Sequence, residues 1–179
     1  MIKFYLKTLA ITAALLVLGM LFGNLTMMGL RLAAADALVK GVLLASALTA
    51  VLGTLHVLNV RRAAGPNSGS DIYSVRQVRE VSTRLEPDRA FAVMRHYLEG
   101  TAGLTVTSAD PVAGKLEARS GLTLRTFGNK VTVSVSGREG GGARVTISSG
   151  PLVFALADFG ESLRAADAAA DHLRDSSHA

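Results

Sequence analysis

The segment with the most chemical potential in this chain is SGREGGGAR, residues 136–144, where four glycines stand beside Arg138 and Arg144. Glycine-rich backbone with basic neighbours can cradle a phosphate. A phosphate loop, however, needs a Lys and a Ser or Thr after its last glycine, followed by a helix whose N-terminus faces the anion. Here VTVSV precedes the glycines and VTIS follows Arg144, so both flanks have the period of a strand. Glycine supplies the positive φ angles that longer hairpin loops need, and a turn accounts for the composition.

The remaining candidates for chemistry are sparse. His96 stands alone, and His172 and His178 lie six apart, whereas a zinc helix wants histidines at i, i+4 or a carboxylate on the same face. Asp167, Asp171 and Asp175 do share a face by i, i+4 spacing beside His172, and read as a solvated acidic face. His56 is the one titratable group in an apolar run, has no acidic or histidine partner there, and reads as an interfacial residue. No nucleophile elbow, Ser/His/Asp signature or pair of catalytic acids stands in a recognisable frame. The chain lacks cysteine, which excludes disulfides, thiolate metal sites and a cysteine nucleophile. The expectation is a protein without catalytic, cofactor or metal site, and not an enzyme.

The apolar residues are concentrated in the first third. Residues 8–30, TLAITAALLVLGMLFGNLTMMGL, contain no charged side chain. As a helix they span roughly 35 Å, against a hydrocarbon layer of roughly 30 Å. Residues 41–60, GVLLASALTAVLGTLHVLNV, are also long enough to cross. The intervening RLAAADALVK is short enough only for a tight connection between antiparallel helices. Residues 1–62 therefore read as a transmembrane hairpin. A cleaved signal peptide is the rival reading, but the first run exceeds a signal core in length and a second span follows.

Charge gives the hairpin a direction. Lys3 and Lys7 precede the first span and Arg61 and Arg62 follow the second, whereas the connection carries Arg31 and Lys40 offset by Asp36. Basic residues near span ends are retained on the cytoplasmic side, so the bias puts both termini there. Of the net charge of +5, residues 1–60 hold +3, and Arg61 and Arg62 account for the other +2. That pair suits anionic lipid headgroups, and no nucleic-acid footprint remains.

Small residues mark where the helices can approach others. Gly19 and Gly23 form a small-xxx-small pair in the first span, and Gly41, Ala45, Thr49 and Gly53 fall at successive i, i+4 positions in the second. Such stripes pack either on each other or on other subunits, and two stripes leave room for both. Asn24 offers an interhelical hydrogen bond or simple hydration.

After Arg62, residues 63–70 (AAGPNSGS) have the composition of a linker, and residues 71–179 are enough for one small domain with its own core. IYSVRQVREVSTRL reads as a strand. Glu86, Pro87 and Asp88 open a helix, whose Ala90, Phe91, Met94, Tyr97 and Leu98 share a face ending near Gly100. GLTVTSAD, GKLEARS and LTLRTF read as short strands, then the two strands flanking the glycines. Asp158 and Glu161 have capping-box spacing ahead of a final helix with Leu163, Ala166, Ala170 and Leu173 on its apolar stripe. The fold class expected is a two-helix transmembrane hairpin plus an α+β domain, an antiparallel sheet with one early and one C-terminal helix.

Asp110, the run from Gly114 to Ala118, Phe127 with Gly128, the Val131, Val133 and Val135 strand, the run from Gly142 to Val145, and Asp158-Phe159-Gly160 together resemble an uncharacterised bacterial family. It is domain-of-unknown-function family 1499 with its membrane-anchored relatives, and the resemblance covers residues 75–173 approximately. It implies a small α+β domain beside transmembrane spans in a bacterial inner membrane, without an established activity. In such relatives the segment before Asp158 is more polar than PLVFALADF here. Residues 151–159 are thus a buried connection, a membrane-touching segment or a partner or ligand patch of Leu152, Val153, Phe154, Leu156 and Phe159.

The expected role is a non-catalytic, membrane-anchored interaction or accessory subunit whose partners are the lipid bilayer and other membrane subunits or further copies of itself. The alternative is a soluble domain that binds or senses a lipid or another apolar ligand.

Overall fold

The computed structural model describes residues 2–25, 27, 30–64, 72–121, 128–152 and 158–177. The chain forms two compact units, Met1–Asn59 and Val60–Ala179.

In the first unit, α1 (Ile2–Asn24) and α2 (Leu30–Ala63) are both long and apolar enough to cross a membrane. They run antiparallel, since Tyr5 pairs with Thr54, Thr12 with Thr49 and Asn24 with Asp36. The large apolar side chains face outwards: Leu15, Leu18, Phe22, Leu43 and Val51 are exposed, while Thr8, Thr12, Thr49 and His56 are buried.

The helix boundaries differ from the sequence reading in one respect. RLAAADALVK, expected as the connection, forms the opening turns of α2, and the chain reverses between Asn24 and Leu30 instead. The cause is local: the segment is built from strong helix formers, Asp36 and Lys40 close an i, i+4 ion pair at 2.6 Å, and Ala33 and Ala37 are fully buried.

The second unit is an antiparallel sheet with helices on one face. Its strands are β1 (Gln77–Thr83), β2 (Thr105–Asp110), β3 (Lys115–Arg119), β4 (Asn129–Gly137) and β5 (Ala143–Pro151), in the spatial order β1-β5-β4-β3-β2. Between β1 and β2 lie α3 (Pro87–His96) and a π-helical turn (Tyr97–Thr101), and α4 (Glu161–Ser176) follows β5. Pro87 opens α3 with Asp88 in its first turn, as the sequence predicts. LTLRTF, read as a strand, lies outside the described residues.

Period-2 alternation decides which face is covered. Leu116, Val133 and Ile147 stand in register across β3, β4 and β5 and are fully buried under α3 and α4. Met94 and Leu98 from the α3 segment and Ala170 and Leu173 from α4 complete that core. Each large apolar side chain buried there stabilises by about 1.5–3 kcal/mol. Thr132, Ser134, Thr146 and Ser148 alternate with the core residues and are half-buried on the opposite face.

The glycine segment is the β4–β5 turn. Gly140, Gly141 and Gly142 all have positive φ, and the loop is closed by hydrogen bonds from Arg138 N to Gly142 O and from Gly141 N to Arg138 O, each 3.1 Å.

Candidate functional site

The stripe in α2 packs inside the first unit. A Cβ added to Gly41 would lie 2.7 Å from Val17 Cγ2 and 3.0 Å from the Val17 Cα, so the helix backbones meet there without room for a side chain. A Cβ on Gly53 would lie 2.4 Å from the Tyr5 ring, and Ala45 and Thr49, between the two glycines, are buried. The stripe is longer than the sequence reading had it, because Ala33 and Ala37 continue it at the same i, i+4 spacing once α2 begins at Leu30.

The two helices are joined by polar contacts along this seam. Thr12 and Thr49 hydroxyls lie 3.1 Å apart, Tyr5 and Thr54 hydroxyls 3.4 Å apart, and Asn24 Nδ2 donates to Asp36 Oδ2 at 3.0 Å. Thr12 also donates to the Thr8 carbonyl one turn back, so its buried hydroxyl is fully used. Gly19 and Gly23 face the other way: a Cβ on either would meet nothing within 4 Å among the described residues.

His56 is fully buried and stacks on Phe4 with ring centroids 4.4 Å apart, so a ring of α1 covers it. The ring partner went unseen because α1 begins at Ile2, ahead of the span that composition alone marks out.

Arg61 and Arg62, expected to meet headgroups, are exposed in the last turn of α2. Arg61 Nε donates to the Tyr73 phenol at 3.2 Å. Further polar contacts follow within the same unit, Val60–Ala179. Gln77 Nε2 donates to the carbonyls of Ile72 and Ser74, and Gln77 Oε1 accepts from Arg79 Nη1. Arg79 Nε in turn donates to Asp167 Oδ1 at 2.6 Å.

That last contact corrects the solvated acidic face at Asp167, while Asp171 and Asp175 are exposed. Asp167 is ion-paired to an arginine whose side chain is only 9% exposed, while Asp171 pairs with Arg174 on α4 itself. Arg79 Nη2 is the buried side-chain polar atom left without a partner among the described residues. Sequence reasoning missed the pair because its members lie 88 positions apart; the signal was a charged residue on the apolar phase of β1, whose burial alternates from Gln77 to Thr83.

Of the apolar patch, Val153, Phe154 and Leu156 lie outside the described residues. Leu152 is 37% exposed and Phe159 half-buried with φ of 53°, the one described non-glycine residue in the left-handed region. The flanks of this segment are firmly held. Leu152 N donates to Gly128 O at 3.0 Å, and on the core side Asn129 Nδ2 donates to the Ser149 hydroxyl at 3.0 Å.

Asp158 is 2% exposed and accepts from the backbone N–H of Gly160 at 3.1 Å and of Ser162 at 2.9 Å. It therefore caps α4, but not through a capping box: Gly160 is the N-cap residue, and Glu161 is the first helical residue, 3.7 Å from Arg164. Consecutive positive φ angles at Phe159 and Gly160 fold the chain back so that the carboxylate reaches the helix from two positions upstream.

Asp158 serves α4 on the covered side of the sheet, whereas Glu117 lies on the open side and accepts from Lys130 Nζ at 2.8 Å. Among the described residues no three His, Asp or Glu side chains converge as metal ligands. His172 stacks on Tyr97 at 4.6 Å, and burial pushes the Tyr97 phenol above its ordinary pKa.

No protein-family model matches the chain, and no curated protein is significantly similar to it.

Proposed function

We propose that this protein is a membrane-anchored interaction or accessory subunit. The hairpin crosses a bacterial inner membrane twice and presents the sheet unit on the cytoplasmic side. The observation that carries this reading is the reversed burial of the hairpin: threonines and a histidine lie inside, and leucine, valine and phenylalanine face outwards over its length. In water such a surface is an aggregation hazard, whereas in lipid it costs nothing, and cross-helix hydrogen bonds with close backbone approach are what holds such helices together.

With α2's stripe occupied by α1, the face bearing Gly19 and Gly23 is where a further transmembrane helix would pack closely. Arg61 and Arg62 sit at the anionic headgroup level, and the family resemblance supplies the bacterial setting. The core of the sheet unit, filled by Met94, Leu98, Leu116, Ile147 and Leu173, favours this reading over an apolar ligand held between sheet and helices.

Native mass spectrometry after gentle extraction tests the partner. A stoichiometric protein that is lost in Gly19→Leu/Gly23→Leu supports the subunit reading, and a lone protomer with or without bound lipid overturns it. The absence of native cysteine makes topology separately testable with a membrane-impermeant maleimide. Met27→Cys should react in intact cells stripped of the outer membrane, and Ser177→Cys only after lysis.

A further inference from the structure

The glycine hairpin also forms one wall of a cleft. Gly142, with φ of 82°, approaches β1 so closely that a Cβ would lie 2.3 Å from Thr83 O and 3.2 Å from Arg84 Cα. Between this turn, the end of β1 and the last turn of α4 lies an open cleft of about 670 Å³.

Arg84, Arg138 and Arg174 all line it, together with the side-chain-free backbone of Gly140 and Gly141. Arg174 is paired with Asp171, but neither Arg84 nor Arg138 has a carboxylate partner among the described residues. With no carboxylate paired to them, the guanidiniums of Arg84 and Arg138 keep donors available to an anion that enters the cleft. A guanidinium offers paired N–H donors that match phosphate oxygens.

Glu80 and Glu139 line the same cleft, and with Asp171 holding Arg174 its three guanidinium charges are balanced by three carboxylates. The cleft therefore offers the guanidiniums of Arg84 and Arg138 to one phosphate group and no charge surplus to a nucleic-acid backbone, whose binding depends on neutralising many phosphates at once.

We infer that this cleft binds one phosphate group, carried either by a small soluble molecule or by a lipid headgroup. It differs from a phosphate loop in using guanidinium side chains in place of a helix N-terminus, so the strand-flanked hairpin and the anion site are compatible. The inference does not depend on the membrane reading, because every lining residue belongs to the second unit.

The test uses the full chain in maltoside micelles, which contain no phosphate, and follows the backbone amide resonances of Gly140, Gly141 and Gly142. Inorganic phosphate and the soluble lipid dihexanoylphosphatidylglycerol are titrated separately, against sodium chloride at matched ionic strength. The expected result is a saturable shift with at least one phosphate probe, weakened about tenfold or more in Arg84→Gln/Arg138→Gln.

The single Arg138→Gln variant, on an exposed turn, should show an intermediate loss and provides the measurement if the double variant does not fold. Saturation by inorganic phosphate identifies a soluble ligand, and saturation by the lipid alone identifies a headgroup. Shifts that fail to saturate with both probes, that chloride reproduces, or that survive the arginine substitutions overturn the site.

Discussion

In the hairpin, Thr12 and Thr49 meet inside while Leu15 and Leu43 face outwards; in the sheet unit Leu116 and Ile147 are inside while Thr132 and Thr146 lie on the open face. The contrast shows what holds each unit together. Water drives apolar groups into the sheet unit's core. In the lipid setting proposed above the hairpin has no such drive and relies on backbone approach at Gly41 and Gly53 and on hydroxyl contacts along the seam. Buried hydroxyls line the hairpin's seam beside its small residues, whereas a buried ion pair in the sheet unit is a costly feature, and Arg79–Asp167 is the clearest instance.

That pair gives the largest expected effect. Asp167→Ala leaves the Arg79 guanidinium buried without its counter-charge and should destabilise the sheet unit by about 3–5 kcal/mol. Denaturant unfolding of the full chain in micelles, followed by near-ultraviolet circular dichroism, measures it. Arg79→Met/Asp167→Leu removes both charges at similar volume and should recover most of the loss. A double variant as unstable as Asp167→Ala would mean that the pair, unlike the threonine seam, is indispensable to the fold.

Next in size is Gly142→Ala. The hairpin unit needs glycine at Gly41 and Gly53 for helix approach; the sheet unit needs it at Gly142 both for φ of 82° and for the 2.3 Å approach of a Cβ to Thr83 O. Forcing a side chain into that conformation costs about 1–3 kcal/mol before the clash is relieved. The same unfolding experiment should show a loss in this range, whereas Gly140→Ala, with open space around it, should lose less.

The hairpin's counterpart is smaller. Thr12→Val keeps the shape and removes the hydroxyl facing Thr49, and interhelical hydrogen bonds in membrane proteins average about 0.6 kcal/mol. A Thr12→Val/Thr49→Val cycle in micelles should give a coupling of about that size. A coupling well above it would place the hairpin's stability in its polar seam instead of its close packing.

The same division between local pattern and long-range pairing governs what could be read from the sequence. Val131, Val133 and Val135 alternate within one strand, and Ala90, Phe91 and Met94 recur within one helix, so their burial follows from neighbours a few residues away. The stripe of Gly41, Ala45, Thr49 and Gly53 was legible for the same reason, but its extension to Ala33 and Ala37 was not. Charged Arg31, Asp36 and Lys40 suggested a loop, although Arg31 and Lys40 are exposed on the helix, Asp36 accepts from Asn24 of α1, and the alanines are buried.

Arg79 with Asp167, and Arg84 beside the glycine hairpin, are products of how β1, β5 and α4 assemble, and nothing within a few residues of either announces the meeting. Asp158 was legible as a cap but not in its geometry, since the left-handed pair at Phe159 and Gly160 decides which amides it reaches.

The smallest effect belongs to the open face of the sheet. The Glu117 carboxyl is held below its ordinary pKa, chiefly by the hydrogen bond from Lys130, with the charges of Lys130 and Arg119 adding to it. Because the folded value is the lower one, the pair stabilises the unit fully above the ordinary glutamate range. That contribution is lost as pH falls through the depressed value. Both side chains are 35% exposed, so water and salt screen the pair, and the unfolding midpoint should barely move in Lys130→Gln. Carboxylate carbon NMR is the sensitive readout. Glu117 should titrate at higher pH in Lys130→Gln than in the native chain, and added salt should narrow the difference between the two. A Glu117 titration indifferent to Lys130 would mean that the open face of the sheet is not organised by this pair.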